Sequence, residues 1–193
     1  TRLRGGTGVN FFNRATGNWS NRYIALDNVR SYSNVTTFGL CDGTHAGIDG
    51  NEDATGYPCR DQIGRGPDTT LWVSPGGKYT QPLEPAYFFG NIGDSGPVTV
   101  DVINSSSDHI KANRDYYTYN ASFDGKSGVG CGKPANRPAT CTPGVSYWAT
   151  EQSCTDMTGM VGANPSTPIK GTLYKCNASG QWETHYTPYT YPH

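Results

Sequence analysis

Short runs of alternating apolar and polar residues, each closed by Gly, Asn, Asp or Pro, set the pattern of this chain. Gly8-Val9-Asn10-Phe11-Phe12, Tyr23-Ile24-Ala25-Leu26, Ala86-Tyr87-Phe88-Phe89 and Val98 to Ile103 are the clearest in the first two thirds. Near the end, Leu173-Tyr174-Lys175-Cys176 and Gln181 to Tyr186 repeat with the period of two that a half-buried strand requires. Ala178-Ser179-Gly180 between them predicts a turn, so this pair reads as a β-hairpin. Strict alternation places Trp182, Thr184 and Tyr186 on one face of it. Helical periodicity is weak everywhere; the best stripe, Ser107 to Tyr117, is opposed by Asn113 and a tyrosine pair.

Composition sharpens the picture. Hydrophobic residues make up 34% and charged residues 16%, and 25 Gly, 13 Pro and 13 Tyr fill the difference. That mixture is poor in helix formers and rich in turn and strand formers, so the fold class is all-β with long irregular loops. Abundant aromatics and a net charge of −1 oppose disorder. The same charge gives no general attraction to nucleic acid or an anionic membrane, and no apolar run is long enough to span one.

Three parts are expected along the chain: a body at 1–125 containing a long polar loop at 39–83, a Gly/Pro-rich connector at 126–143, and an aromatic hairpin unit at 144–193. The opening Thr1-Arg2-Leu3-Arg4-Gly5-Gly6 reads as the middle of something. Six cysteines suit three disulfides in an oxidising compartment, which places the protein outside the cell, secreted or at the surface. Spacing suggests the local pairs Cys41–Cys59, Cys131–Cys141 and Cys154–Cys176, although fifteen pairings exist in principle.

The runs RGGTGVNFFNRATG, LCDGT with DGNEDATGYPCRDQIGRGPD, PAYFFGN with VTVDVINSSSDHIKANRDYY, and LYKC with QWETHYTPYTYPH together resemble the C-terminal portion of secreted right-handed parallel β-helix repeat proteins of the pectate-lyase-like group. The resemblance implies the terminal rungs of such a solenoid, plus a small disulfide-stapled hairpin. Catalytic residues in that group sit on earlier rungs, so it carries no catalytic residue over to this chain. A solenoid end also exposes unpaired strand edges. Its partners would then be own copies packed head to tail, or a missing N-terminal β-helix region.

Candidate chemistry is sparse. Asp49, Asn51 and Asp53 have the spacing that opens a calcium loop, with Asp42 and Asp61 nearby. Ala54 and Arg60 stand where an EF-hand needs Gly and Glu, so the competing reading is an Asx-rich turn, and calcium is the one cofactor in view. Acid–base use of Asp49, Glu52 or Asp61 has no support in the spacing. Trp148, Tyr174, Trp182 and Tyr186 offer flat rings for sugar stacking, or else form the core of the hairpin unit. Sequons occur at Asn18, Asn34, Asn104, Asn120 and Asn177, against a background of ordinary turn asparagines. The expected function is a non-catalytic extracellular structural protein that self-assembles as a filament or surface-layer subunit and contacts polysaccharide. The alternatives are the tail of a polysaccharide-degrading β-helix enzyme and a carbohydrate-binding module.

Overall fold

The computed structural model describes residues 1–17, 23–27, 62–67, 82–103 and 109–189. The chain is all-β: the described residues hold short strands and, as helix, only a 3-10 turn at Pro134–Asn136. The stretch expected to come nearest to a helix is, from residue 109 onward, turns leading into a strand at Tyr116–Thr118. Two compact units interleave along the sequence instead of following the expected three parts. The first comprises Thr1–Val9, Asn18–Ala86 and Val98–Tyr116; the second comprises Asn10–Gly17, Tyr87–Pro97 and Tyr117–His193.

In the first unit, β1 (Arg2–Leu3), β4 (Ile24–Leu26) and β8 (Val100–Val102) form a sheet in the order β1-β4-β8. It is parallel throughout. Arg2, Ala25 and Asp101 lie in line across it, as do Leu3, Leu26 and Val102. Ile24 and Leu26 are fully buried, the return expected of a β-branched and aliphatic strand. Two carboxylates among the described residues of this unit are buried with partners. Asp27, next to β4, is bonded by the Arg2 guanidinium, with Arg4 Nε at 4.0 Å. Asp115 takes the Lys111 amide at 2.8 Å and Arg114 Nε at 2.9 Å. Partners of this kind offset part of the cost of burying a carboxylate.

Strands β2 (Gly8–Phe11), β5 (Ala86–Phe89) and β9 (Tyr116–Thr118) form a sheet in that order. The apolar runs predict β2, one residue longer than observed, and β5 as observed, whereas β9 lies where the weak helical stripe is expected.

The second unit holds β3 (Arg14–Ala15) parallel to β6 (Ile92–Gly93), which turns back antiparallel into β7 (Gly96–Pro97). The corner before β3 and the corner before β6 are built alike. Phe12 (φ 49°) and Gly90 (φ 64°) occupy the left-handed region, and Asn13 and Asn91 follow them. Asn91 Oδ1 accepts the Asn13 backbone N–H at 3.0 Å and its side-chain amide at 2.8 Å; Asn91 Nδ2 donates to Asn10 O at 3.0 Å. The stacked amides satisfy backbone groups that the corner would otherwise strand.

A four-stranded sheet completes this unit in the order β10 (Val129–Gly132), β11 (Ser146–Ala149), β12 (Thr172–Cys176), β13 (Trp182–Tyr186). β10 and β11 are parallel; β12 and β13 are antiparallel to their neighbours. The expected connector therefore contributes a strand. The expected hairpin is β12–β13, and its turn is held by Asn177 Oδ1, which accepts the amides of Ser179 and Gln181 at 3.0 Å each.

The disulfides correct the expected pairing: Cys131 bonds Cys154, and Cys141 bonds Cys176. Strand direction explains why. Parallel pairing brings the chain leaving β11 back beside the end of β10, so Cys154 meets Cys131. Antiparallel pairing sets the chain entering β11 beside the end of β12, where Gly144 N donates to Cys176 O at 2.9 Å, and Cys141 is carried there with it. Nearest-neighbour spacing carries no information about strand direction. Cys41 and Cys59 lie outside the described residues, as does most of the 39–83 loop.

Candidate functional site

The two faces of the four-stranded sheet separate the aromatic candidates. Register puts Trp148 opposite Leu173, and Leu173 opposite Tyr186, on one face; Tyr147 lies opposite Tyr174 on the other. Tyr174 in turn pairs with Thr184, so the register skips His185. This bulge moves Tyr186 to the face opposite Trp182 and Thr184, correcting the expectation of a shared face. One extra residue in a strand inverts every later side chain.

The first face is core. Trp148 is 0% exposed, with ring centroids 5.3 Å from Phe11, 5.9 Å from Phe12 and 5.5 Å from Phe89. A side chain with no exposed surface cannot stack on a sugar, so Trp148 leaves the list of stacking candidates. Tyr186 packs its edge on Phe11 at 5.5 Å. Beside this cluster Tyr87 stacks on Tyr117 at 5.7 Å and donates to Gly144 O at 2.8 Å. Burial pushes the Tyr87 hydroxyl far above the ordinary tyrosine range, with Tyr117 and Glu183 adding to the effect.

The second face keeps partial exposure. Tyr174 and Trp182 are half-buried, and Arg137 from the segment after the 3-10 turn lies over both, 4.0 Å from the Tyr174 centroid and 5.6 Å from that of Trp182. Trp182 Nε1 donates to Pro138 O at 2.7 Å, and Tyr147 Oη donates to Lys133 O at 3.1 Å. Phe123 fills the space between, 5.8 Å from Tyr147 and 6.4 Å from Trp182. Burial raises the Tyr147 pKa, and the Arg137 charge opposes that shift. The rings thus clamp the 133–138 segment to the sheet, and Arg137 occupies the side of Tyr174 that a sugar would use. Tyr189, 71% exposed, is the most open ring described.

Of the remaining candidates, Asn120 spends its amide on Ser127 O at 3.1 Å, and its Oδ1 accepts Ser122 N at 3.0 Å. Asn177 holds the hairpin turn described above. Asn18, Asn34 and Asn104 lie outside the described residues, and so do Asp49, Asn51 and Asp53 with the neighbouring Asp42 and Asp61. Among the described residues no three His, Cys, Asp or Glu side chains gather as a metal site requires, and no helix is long and apolar enough to cross a membrane.

Sequence reasoning missed Arg137 and the Asn10–Asn13–Asn91 network. For the asparagines a signal exists: NFFN at 10–13 and YFFGN at 87–91 are two versions of one strand-and-corner motif. Nothing in the sequence distinguishes Arg137 from other loop arginines. Chemically, the described surface offers an aromatic and cationic patch and, among the described residues, the edge strands of short sheets. Compared with models of protein families, with curated proteins and with solved structures, the chain matches none.

Proposed function

We propose that this protein is a non-catalytic extracellular structural subunit whose parallel strands are the coils of a β-solenoid, and that it assembles with its own copies through sheet edges. The observation that carries the reading is the all-parallel β1-β4-β8 sheet, in which, among the described residues, β1 and β8 stand at the edges. Such an edge presents a row of backbone donors and acceptors, and a second strand is its natural partner. The order of strands supports the solenoid. β1, β2 and β3 each begin a different sheet, β4, β5 and β6 come second in the same three, and β8 and β9 follow in two of them. A resemblance to pectate-lyase-like β-helices agrees with that succession. Two disulfides fit an oxidising, extracellular setting. Two buried carboxylates of the described core are held within the chain, Asp27 by Arg2 and Asp115 by Arg114 and Lys111.

Sedimentation velocity over a wide concentration range, with intact mass alongside, tests this. Growth of large species with concentration is expected; a single species at the mass of one chain throughout would reject it. A polysaccharide-binding reading draws on Trp182, which is half-exposed. It expects Trp182→Ala to lose retention on a polysaccharide column.

A further inference from the structure

Two of the sequons lie among the described residues, Asn120-Ala121-Ser122 and Asn177-Ala178-Ser179, and they carry the same tripeptide. In both, the asparagine Oδ1 accepts the backbone N–H of the serine two residues on, at 3.0 Å. The fold separates them at Nδ2, the atom that would carry a sugar. Asn120 Nδ2 donates to Ser127 O at 3.1 Å. The 127–128 backbone also closes over this side chain: a Cβ added at Gly128 would stand 2.8 Å from Asn120 Cβ.

Asn177 sits where β12 turns into β13, and it is tied there without its Nδ2. Its Oδ1 accepts Gln181 N at 3.0 Å as well as Ser179 N, its own N–H donates to Gln181 O at 2.9 Å, and its carbonyl accepts Gly180 N at 3.0 Å. Gly180, in the left-handed region at φ 74°, closes the turn. Neither Asn177 Nδ2 nor Ser179 Oγ has a hydrogen-bond partner among the described residues. Ala178 and Ser179 are exposed at the tip. The turn therefore presents an unused amide nitrogen and, two residues on, the unused hydroxyl that the acceptor triplet requires.

We propose that Asn177 is an N-glycosylation site of the folded, secreted chain and that Asn120 is not. This rests on the extracellular part of the reading above. The donor is a lipid-diphosphate-linked oligosaccharide supplied by a secretory pathway. A bond forms from Nδ2 to the anomeric carbon of the first sugar as the bond from that carbon to the diphosphate oxygen breaks. The lipid diphosphate leaves with the electron pair, one Nδ2 proton passes to a base of the transferase, and nothing is oxidised or reduced. The transferase meets the chain as it enters the pathway, so the fold selects by what it can accommodate afterwards. A glycan on Asn177 leaves the turn bonds standing, because none of them uses Nδ2. A glycan on Asn120 would need the space that the 127–128 backbone fills, at the foot of β10, where Val129 is fully buried.

The test is the full chain secreted from a eukaryotic cell line, with its asparagines read by peptide mapping after enzymatic release of N-glycans, which leaves aspartate wherever a sugar stood. Conversion at position 177 and none at position 120 is expected. Ser179→Ala removes the acceptor triplet while its backbone N–H still donates to Asn177 Oδ1, and should lower the intact mass by one glycan. Ser122→Ala should leave the glycan mass unchanged. The wild-type map decides even where a variant fails to fold. A secreted, disulfide-bonded chain with Asn177 unmodified would overturn the site and leave the extracellular reading in place. Modification of Asn120 as complete as that of Asn177 would overturn the selection by the fold. A chain retained in the cell without its disulfides would overturn both the site and the reading it rests on.

Discussion

Trp148→Ala separates packing from binding among the aromatic residues. Trp148 is fully buried, meets Phe11, Phe12 and Phe89 within 6 Å between centroids, and lies so close to Gly171 that a Cβ added there would stand 2.5 Å from Trp148 Cζ2. Truncating an aromatic side chain in such a site costs about 3–5 kcal/mol, from lost transfer energy plus the cavity left behind. At roughly 2–4 °C per kcal/mol for a chain of this size, melting should fall by about 6–20 °C. Trp182→Ala removes one hydrogen bond to Pro138 O and a half-exposed ring under Arg137, and should cost about 1–2 kcal/mol. Thermal melts of the two oxidised variants by circular dichroism supply the comparison. A Trp148→Ala melt within a degree or two of wild type, or a larger loss at Trp182, would refute the assignment of the two sheet faces.

Peptide mapping without reduction should recover Cys131 joined to Cys154 and Cys141 joined to Cys176, and serine replacement of either pair should cost about 3–4 kcal/mol in a denaturant melt, from the entropy of loops spanning 23 and 35 residues. Asn91→Ala strands the Asn13 amide at the corner and should lower stability by about 2–3 kcal/mol in the same assay. Alkali should unfold the protein. The folded Tyr87 hydroxyl titrates well above its unfolded value of 10.0, and Tyr116 and Tyr147 are shifted the same way by burial. The stability these neutral tyrosines contribute is whole below the unfolded pKa. It then falls by about 1.4 kcal/mol per pH unit for Tyr87 until its folded pKa is reached, and by less for the more weakly shielded Tyr116 and Tyr147. Ultraviolet titration should show their ionisation coinciding with unfolding; early, reversible ionisation in the native state would contradict the burial.

The strands were legible because their signal is local. Ile24 to Leu26, Ala86 to Phe89 and Thr172 to Cys176 announce themselves by alternation or by a short apolar run between turn residues. The disulfides were not, because pairing depends on whether β10 and β11 run parallel, a property of the whole sheet. The aromatic face was misread for a similar reason: a single skipped residue, His185, reverses the side of Tyr186, and no local pattern reveals a bulge. Arg137 becomes visible only once the chain has folded back over Tyr174. Asn13 and Asn91 were readable in principle from the repeated FFN and FFGN segments, 78 residues apart. That β1 and β8 flank β4 in one sheet follows from strand order, which no local pattern in the sequence carries.

Hydrogen exchange of the wild-type chain, dilute and concentrated, tests the central claim most directly. Peptides are compared that cover β1, β4 and β8. Assembly through the sheet edges predicts that the peptides holding β1 and β8 gain protection with concentration, while β4, already paired on both sides, stays as it was. Association with no change at β1 and β8 would contradict the account.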